Sequence, residues 1–311
     1  MKKVAFIFPG QGSQFLGMMK DINEKYETVR EIFKTADDTL QRYISTLCFE
    51  GPQEELDLTH NTAPCMFMAD FAAYAALISH GIKPDVVAGF SLGEFVALTV
   101  AGAMKLTDAV SIVQHRADYM QDAVPVGKGA MAAVKMLSGA EVEALCDQVD
   151  GYVVPVNFNC PGEVVVSGEA EAVKSLISVC KDRGVRAVRL LVSIPSHCKM
   201  MQPAAEKLEA LLKNITISDA KLPIYMNFDA EPHTDSSEIR QRIIEQIKSP
   251  VRWEQTVRNM YNDDVDTFVE LGPGIVLSKL IKRIYDPEKE VTLLNVEDIE
   301  SLEKTVAYLR K

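Results

Sequence analysis

The chain has 311 residues, 47% of them hydrophobic and 25% charged, with a single Trp and a formal net charge of −11. That size and apolar content suit a folded enzyme of one large or two unequal domains. No apolar run is long enough to span a bilayer, and the negative balance argues against a nucleic-acid partner held by phosphate neutralisation.

The opening run MKKVAFIF ends at Pro9-Gly10-Gln11-Gly12, too early for the apolar stretch of a secretory signal. Residues 4–8 therefore read as a first buried strand, and the protein is expected to be cytoplasmic. Residues 65–80 read as a mostly buried helix ending at Gly81, 85–89 as a strand, 94–103 as a helix, and 107–123 as a helix opened by a Thr/Asp cap. The texture changes near Pro125. A strand at 129–136, a helix at 138–149, strands at 152–157 and 163–167, a helix at 169–183 and a strand at 186–193 follow. That order, β-α-β-β-α-β, is the ferredoxin-like pattern. It predicts a small subdomain over residues 125–196, inserted into a larger domain made of 1–124 and 197–311. The α/β order then resumes with a helix from Pro203, a strand at 223–227, helices at 236–248 and 253–262, and a strand at 267–271 entering Gly272-Pro273-Gly274. A last strand at 291–296 precedes a final helix. Alternation of this kind predicts an α/β fold with a largely parallel sheet.

Gly89-Phe90-Ser91-Leu92-Gly93 sits between a strand-like and a helix-like run. A G-x-S-x-G there reads as a nucleophile elbow: the chain turns sharply between glycines, and the Ser91 hydroxyl is pushed out above the sheet. The N–H of Leu92, at the start of the helix, would face a developing oxyanion. An ordinary tight strand-to-helix turn gives the same string. Phe8-Pro9-Gly10-Gln11-Gly12-Ser13-Gln14 is open in the same way. Its glycines leave N–H groups to face a ligand, or they make a plain turn.

A serine nucleophile needs a base, and five histidines are available. His80 lies at a helix end, His115 within a helix, His233 in a polar loop and His60 in an irregular stretch, so each has a structural reading. His197, in Ser196-His197-Cys198, lies where the chain re-enters the large domain, and clefts form at such junctions. Cys198 is a weaker nucleophile candidate, marked only by the adjacent histidine. The acids between Ser91 and His197 (Asp108, Asp118, Asp122, Asp147, Asp150 and Asp182) include none at the end of a large-domain strand. A backbone carbonyl would orient the imidazole without adding a buried charge. Arg116 is either a solvated partner of an acid such as Asp118 or, if it points inward, a fork for a substrate carboxylate. The six cysteines show no C-x-x-C and no regular spacing. They read as small buried hydrophobes rather than a zinc site or a disulfide framework; no metal and no bound cofactor is expected.

Taken together, FPGQGSQ (8–14), G-x-SLGE (89–94), GAMAAV (129–134), PVNFN-x-PG-x-VV-x-SG (155–168), PSHC (195–198), SPVRW (249–253) and ELGPG (270–274) resemble the malonyl-CoA:acyl carrier protein transacylase family along the whole chain. The resemblance implies a hydrolase-like large domain beside the ferredoxin-like one. It also implies ping-pong transfer of malonyl from malonyl-CoA to the phosphopantetheine thiol of acyl carrier protein, for fatty acid synthesis, through an acyl-Ser91. In that scheme His197 is the base, Gln11 and Leu92 supply the oxyanion hole, Arg116 holds the malonyl carboxylate, and the main-chain carbonyl of Gln246 orients the histidine. The family is often monomeric. Two positions depart from its pattern: Phe90, where His is common, and Ala63, where Gln is common.

An acidic enzyme that meets an acidic carrier needs a local basic patch. Lys279, Lys282 and Arg283 share one helix face, and Lys181, Arg183, Arg186 and Arg189 form a second candidate, although either set also reads as a solvated surface. A polyketide acyltransferase acting in trans, a serine thioesterase or hydrolase, and a catalytically dead binding relative are the alternatives.

Overall fold

The computed structural model describes residues 2–192, 194–284 and 290–311. Ten strands form two sheets: β1 (Val4–Phe8), β2 (Val86–Gly89), β3 (Gly129–Lys135), β4 (Val153–Cys160), β5 (Glu163–Glu169), β6 (Ala187–Arg189), β7 (Ile224–Tyr225), β8 (Pro232–His233), β9 (Thr267–Leu271) and β10 (Thr292–Val296). The larger sheet runs β10-β9-β1-β2-β7-β8 and is parallel except for β8.

The short apolar run of β1 is what a central parallel strand needs, because helices cover both faces of such a sheet. Phe6 and Phe8 enter one core with the long helix Thr59–Ile78 and the helix Leu106–Ala123, while Ala5 and Ile7 enter a second with Trp253 and Phe268. Phe8 pairs with Gly89. The loops that leave β1 and β2 therefore emerge side by side at the carboxyl edge of the sheet, where ligands of open α/β sheets collect.

The second sheet is antiparallel, in the order β4-β5-β3-β6, with helices Gly139–Cys146 and Ala170–Asp182 in the ferredoxin-like sequence. Ser138 caps the first of these through a reciprocal box with Glu141. One face of the sheet packs on these helices, whereas Met131, Ala133, Val156 and Val165 pack on Cys198, the neighbour of His197. The small sheet is tied to the rest of the chain by Phe158 N–H to Val251 O (3.0 Å) and Val251 N–H to Val156 O (2.8 Å).

Three expectations change. The helix expected at 65–80 begins at Thr59, so His60 is helical. Pro64 within it removes an N–H, and the freed His60 carbonyl accepts from Gln114 Nε2 at 3.1 Å. The strand expected at 186–193 stops at Arg189. After one more bond, Leu190 N–H to Met131 O, the chain leaves the sheet edge, and Ser193 lies outside the described residues. Helices between residues 20 and 56, among them Glu27–Leu40 with Val29, Phe33 and Ala36 buried, were not assigned from sequence. Among the described residues, no helix is long and apolar enough to cross a membrane.

Candidate active site

The elbow is built by close approach. A Cβ on Gly89 would lie 1.9 Å from the Gly93 carbonyl carbon, and one on Gly93 would lie 2.1 Å from Phe8 O. Neither glycine has positive φ. The residue in the left-handed region is Ser91 itself, at φ 51°, a conformation that costs a non-glycine residue about 1 kcal/mol or more. The glycines thus let strand and helix cross, and the serine bears the turn. Gly93 N–H to Phe90 O (3.0 Å) and Glu94 N–H to Ser91 O (3.2 Å) start the helix Gly93–Val100 beneath it.

His197 is also left-handed, at φ 60°, and is buried. Its Nε2 lies 2.7 Å from Ser91 Oγ and its Nδ1 2.9 Å from Gln246 O. Since a carbonyl only accepts, Nδ1 carries the proton and Nε2 presents its lone pair to the serine. No carboxylate occupies the third position. Burial, and secondly the Arg116 charge, push the His197 pKa down to about 4, so the ring is neutral at physiological pH.

Arg116 points inward and is buried. Its Nη2 donates to Gln246 Oε1 at 3.0 Å and to Ser91 Oγ at 3.3 Å, and its guanidinium lies 5.5 Å from the centre of the Phe95 ring. Nε has no partner among the described residues. Burial lowers its pKa to about 10 against the opposing effect of Glu94, which leaves it charged. Asp118 accepts instead from Gln114 Nε2, at 3.2 Å.

The main-chain N–H groups of Leu92 and Gln11 donate to no described group. Gln11 sits on the loop beside the elbow, where a Cβ on Gly10 would lie 2.7 Å from Phe90 O. A cleft of about 890 Å³ opens there, lined by Gln11, Thr59, His60, Leu190, Leu191 and Val192. A second groove of about 480 Å³ reaches His197 past Tyr152, Ser249 and Arg252.

Sequence reasoning did not single out Asn227 or Glu94. Asn227 Oδ1 accepts from Ser91 N–H at 2.7 Å and its Nδ2 donates to Gly89 O at 2.6 Å. Glu94, fully buried, accepts from Asn227 N–H at 2.6 Å and from Gln246 Nε2 at 3.2 Å. Burial pushes Glu94 up to about 8, opposed by the Asn227 N–H and then by Arg116. For Glu94 the sequence signals were an acid in the first turn of an otherwise apolar helix and its place at the end of the matched stretch G-x-SLGE; Asn227 carried none.

The other candidates stand elsewhere. His80 Nε2 meets the Tyr26 hydroxyl at 2.9 Å rather than helix-end carbonyls, and His115 stacks on Tyr119. His233 lies buried between Asp229 and Glu238, at 3.0 Å from each. His60 lines the cleft. The Cys198 thiol is buried, bonds to Pro195 O at 3.2 Å, and is raised by that burial, which does not suit a nucleophile. Phe90 packs edge-on against Trp253 with ring centres 5.8 Å apart. Ala63 is buried in the core, and Arg42, bonded to Asn61 and Gln114, supplies the polar contacts nearby. Lys279 and Lys282 are exposed. Arg283 is instead paired with Glu163 of the small sheet and donates to Pro161 O at 3.3 Å.

A strand–serine–helix elbow with a buried histidine on its hydroxyl, beside a ferredoxin-like sheet, places the chain among the α/β acyltransferases built around a serine. It belongs to the family described as Acyl transferase domain, whose profile matches residues 5–303. It is 41% identical over 315 residues to the malonyl CoA-acyl carrier protein transacylase of Bacillus subtilis, covering 100% of this chain and 98% of the relative. With the protein of the same name from Escherichia coli K12 it shares 43% over 290 residues, covering 92% and 94%. Among solved structures, the malonyl CoA-acyl carrier protein transacylase of Coxiella burnetii superposes with a TM-score of 0.95 at 39% identity, covering 100% of this chain and 98% of the other. A malonyl-transacylase in complex with its type II polyketide acyl-carrier protein gives 0.95 at 38%, covering 99% and 100%.

Proposed function

We propose that this chain moves malonyl from CoA to the phosphopantetheine thiol of an acyl carrier protein. The observation that carries the reading is the chain of contacts from Gln246 O through His197 to Ser91 Oγ, with the Arg116 guanidinium on the same oxygen. Ser91 Oγ attacks the thioester carbonyl while its proton passes to His197 Nε2. The N–H groups of Leu92 and Gln11 hold the oxyanion. As the tetrahedral species collapses, the C–S bond breaks and His197 Nε2–H protonates the departing CoA thiolate, leaving malonyl esterified to Ser91. The carrier thiol then gives its proton to His197 and attacks the ester, and Ser91 recovers the proton. Arg116 holds the malonyl carboxylate, and no resident cofactor takes part.

Residues 125–196 act as the small subdomain, 1–124 with 197–311 as the large one, and the protein works as a cytoplasmic monomer. Lys279 and Lys282 are the docking cations for the carrier. Arg283 belongs with them only in part, because its charge is engaged by Glu163.

Intact mass after incubation with malonyl-CoA tests the reading. A malonyl adduct on the wild-type chain, absent from Ser91→Ala and discharged onto holo carrier protein, is the expected result. No adduct, or one lost only to water, overturns it. Carriers from fatty acid and polyketide systems are compared as acceptors.

A further inference from the structure

Glu94 lies beneath the elbow with both carboxyl oxygens facing N–H donors, one on Asn227 and one on Gln246. Each of those residues grips the reacting residues. Asn227 holds the Ser91 N–H and the Gly89 carbonyl. Gln246 donates through Nε2 to Ser91 O at 2.7 Å, accepts Arg116 on Oε1, and turns its main-chain carbonyl to His197 Nδ1. Asn227 lies in the turn two residues past β7, and Gln246 ends the helix Ser236–Gln246. Sites more than 100 residues apart from the elbow in sequence therefore converge on one acid. We propose that Glu94 is a positioning residue: one buried double acceptor that fixes Asn227 and Gln246, and through them the left-handed Ser91, the His197 ring and the Arg116 fork.

Chemistry favours an acid there over an isosteric amide. With N–H donors on both oxygens the geometry calls for the ionised acid, which accepts at both, against the burial that raises its pKa. A Gln at residue 94 must instead turn an NH2 group toward either the Asn227 N–H or the Gln246 NH2. To relieve that clash Gln246 must flip its amide, which breaks its bonds to Ser91 O and Arg116. Misplacement of a nucleophile by a fraction of an ångström is felt in the chemical step.

The inference rests on the acyl-serine reading. The test is rapid-quench acylation with malonyl-CoA, in which burst amplitude counts active sites and the rate constant reports each site's competence. Glu94→Gln is expected to slow acylation per active site at least tenfold, as is Asn227→Ala. The double variant should be about as slow as the slower single one, because both act through one clamp. A Glu94→Gln chain that loses amplitude but keeps the wild-type rate constant has only a folding defect, and that overturns the proposal. So do effects of the two variants that multiply. Should Glu94→Gln not accumulate, Asn227→Ala alone carries the expectation, and a wild-type rate constant there overturns it. A wild-type chain that never acylates sinks the transacylase reading, whereas normal acylation in wild type and variants alike sinks only this inference.

Discussion

Removing the Arg116 side chain separates two jobs that its geometry combines. The guanidinium is buried and bonds to Gln246 Oε1 and Ser91 Oγ, so it touches the nucleophile and, on the proposed reading, the malonyl carboxylate as well. If it reads that carboxylate, Arg116→Ala leaves the bound acyl charge without its partner. Stripping a buried charge of its partner costs about 3–5 kcal/mol, or about 10²- to nearly 10⁴-fold in kcat/KM at about 1.4 kcal/mol per tenfold. An acetyl group has no charge to strand, so acetyl-CoA should change by less than about tenfold. The assay is acylation of the enzyme by malonyl- and acetyl-CoA, each followed by intact mass over time. Arg116→Lys should recover only part of the malonyl preference, since an ammonium has no planar fork. Equal losses with the two donors would refute the reasoning and leave Arg116 as a brace for Gln246 and the elbow.

The pH dependence of kcat/KM for acylation should show an acid limb near 4, where His197 of the free enzyme gains its proton; a limb near 6.5 in kcat/KM would contradict the buried, Arg116-flanked ring. His197 also shapes stability: between pH about 4 and 6.5 the unfolded chain holds a proton that the native ring refuses, so stability falls as pH drops through that window, by about 3 kcal/mol in all. Urea melts of wild type and His197→Gln should differ by that slope, and identical pH dependences would contradict it. Gly93→Ala drives a Cβ to 2.1 Å from Phe8 O and is expected to cost about 3 kcal/mol or more, with lost soluble yield as the readout. Phe90→His exchanges one ring for another against Trp253 and should leave acylation within about threefold of wild type, below about 1 kcal/mol at 1.4 kcal/mol per tenfold. Lys279→Glu with Lys282→Glu should raise KM for holo carrier protein and leave CoA-only exchange alone, whereas equal effects on both would point away from docking.

The strands, the small subdomain and the elbow were legible because each is written locally. The run 267–271 and the helix 253–262 appear at the expected bounds, and hydrophobic periodicity with turn residues is enough for that. The helix start at Thr59 was not legible, because Pro64 argues for a boundary and only a distant Gln114 side chain makes its place in the helix tolerable. The short β6 followed from the same limit. The alternation in residues 186–193 favours a longer strand, but Pro195 packs on Gly129, where a Cβ would meet it at 2.4 Å, and the chain turns off to deliver His197. In the site, Ser91 carried a motif and His197 a junction, whereas Asn227 carried no pattern and the contacts of Glu94 run to partners far away in sequence.

The electrostatics of the site bear on why a carbonyl, rather than an acid, stands behind His197. A carboxylate on Nδ1 would stabilise the imidazolium formed during attack, as in serine hydrolases. Here the carbonyl of Gln246 fixes the ring's direction but brings no charge, and Arg116 beside Ser91 opposes protonation of His197. Glu94 opposes the effect of burial on the Arg116 charge and is hydrogen-bonded to Arg116 through the Gln246 amide. On the proposed reading, a malonyl carboxylate on Arg116 adds a negative charge close to the imidazolium when it forms. The base then strengthens when the right acyl group is bound, and water arriving alone meets a weak one. Discrimination by Arg116 should therefore appear in the acylation rate constant at saturating donor as well as in KM. A pure KM effect would mean that the arginine holds the substrate without touching the chemistry.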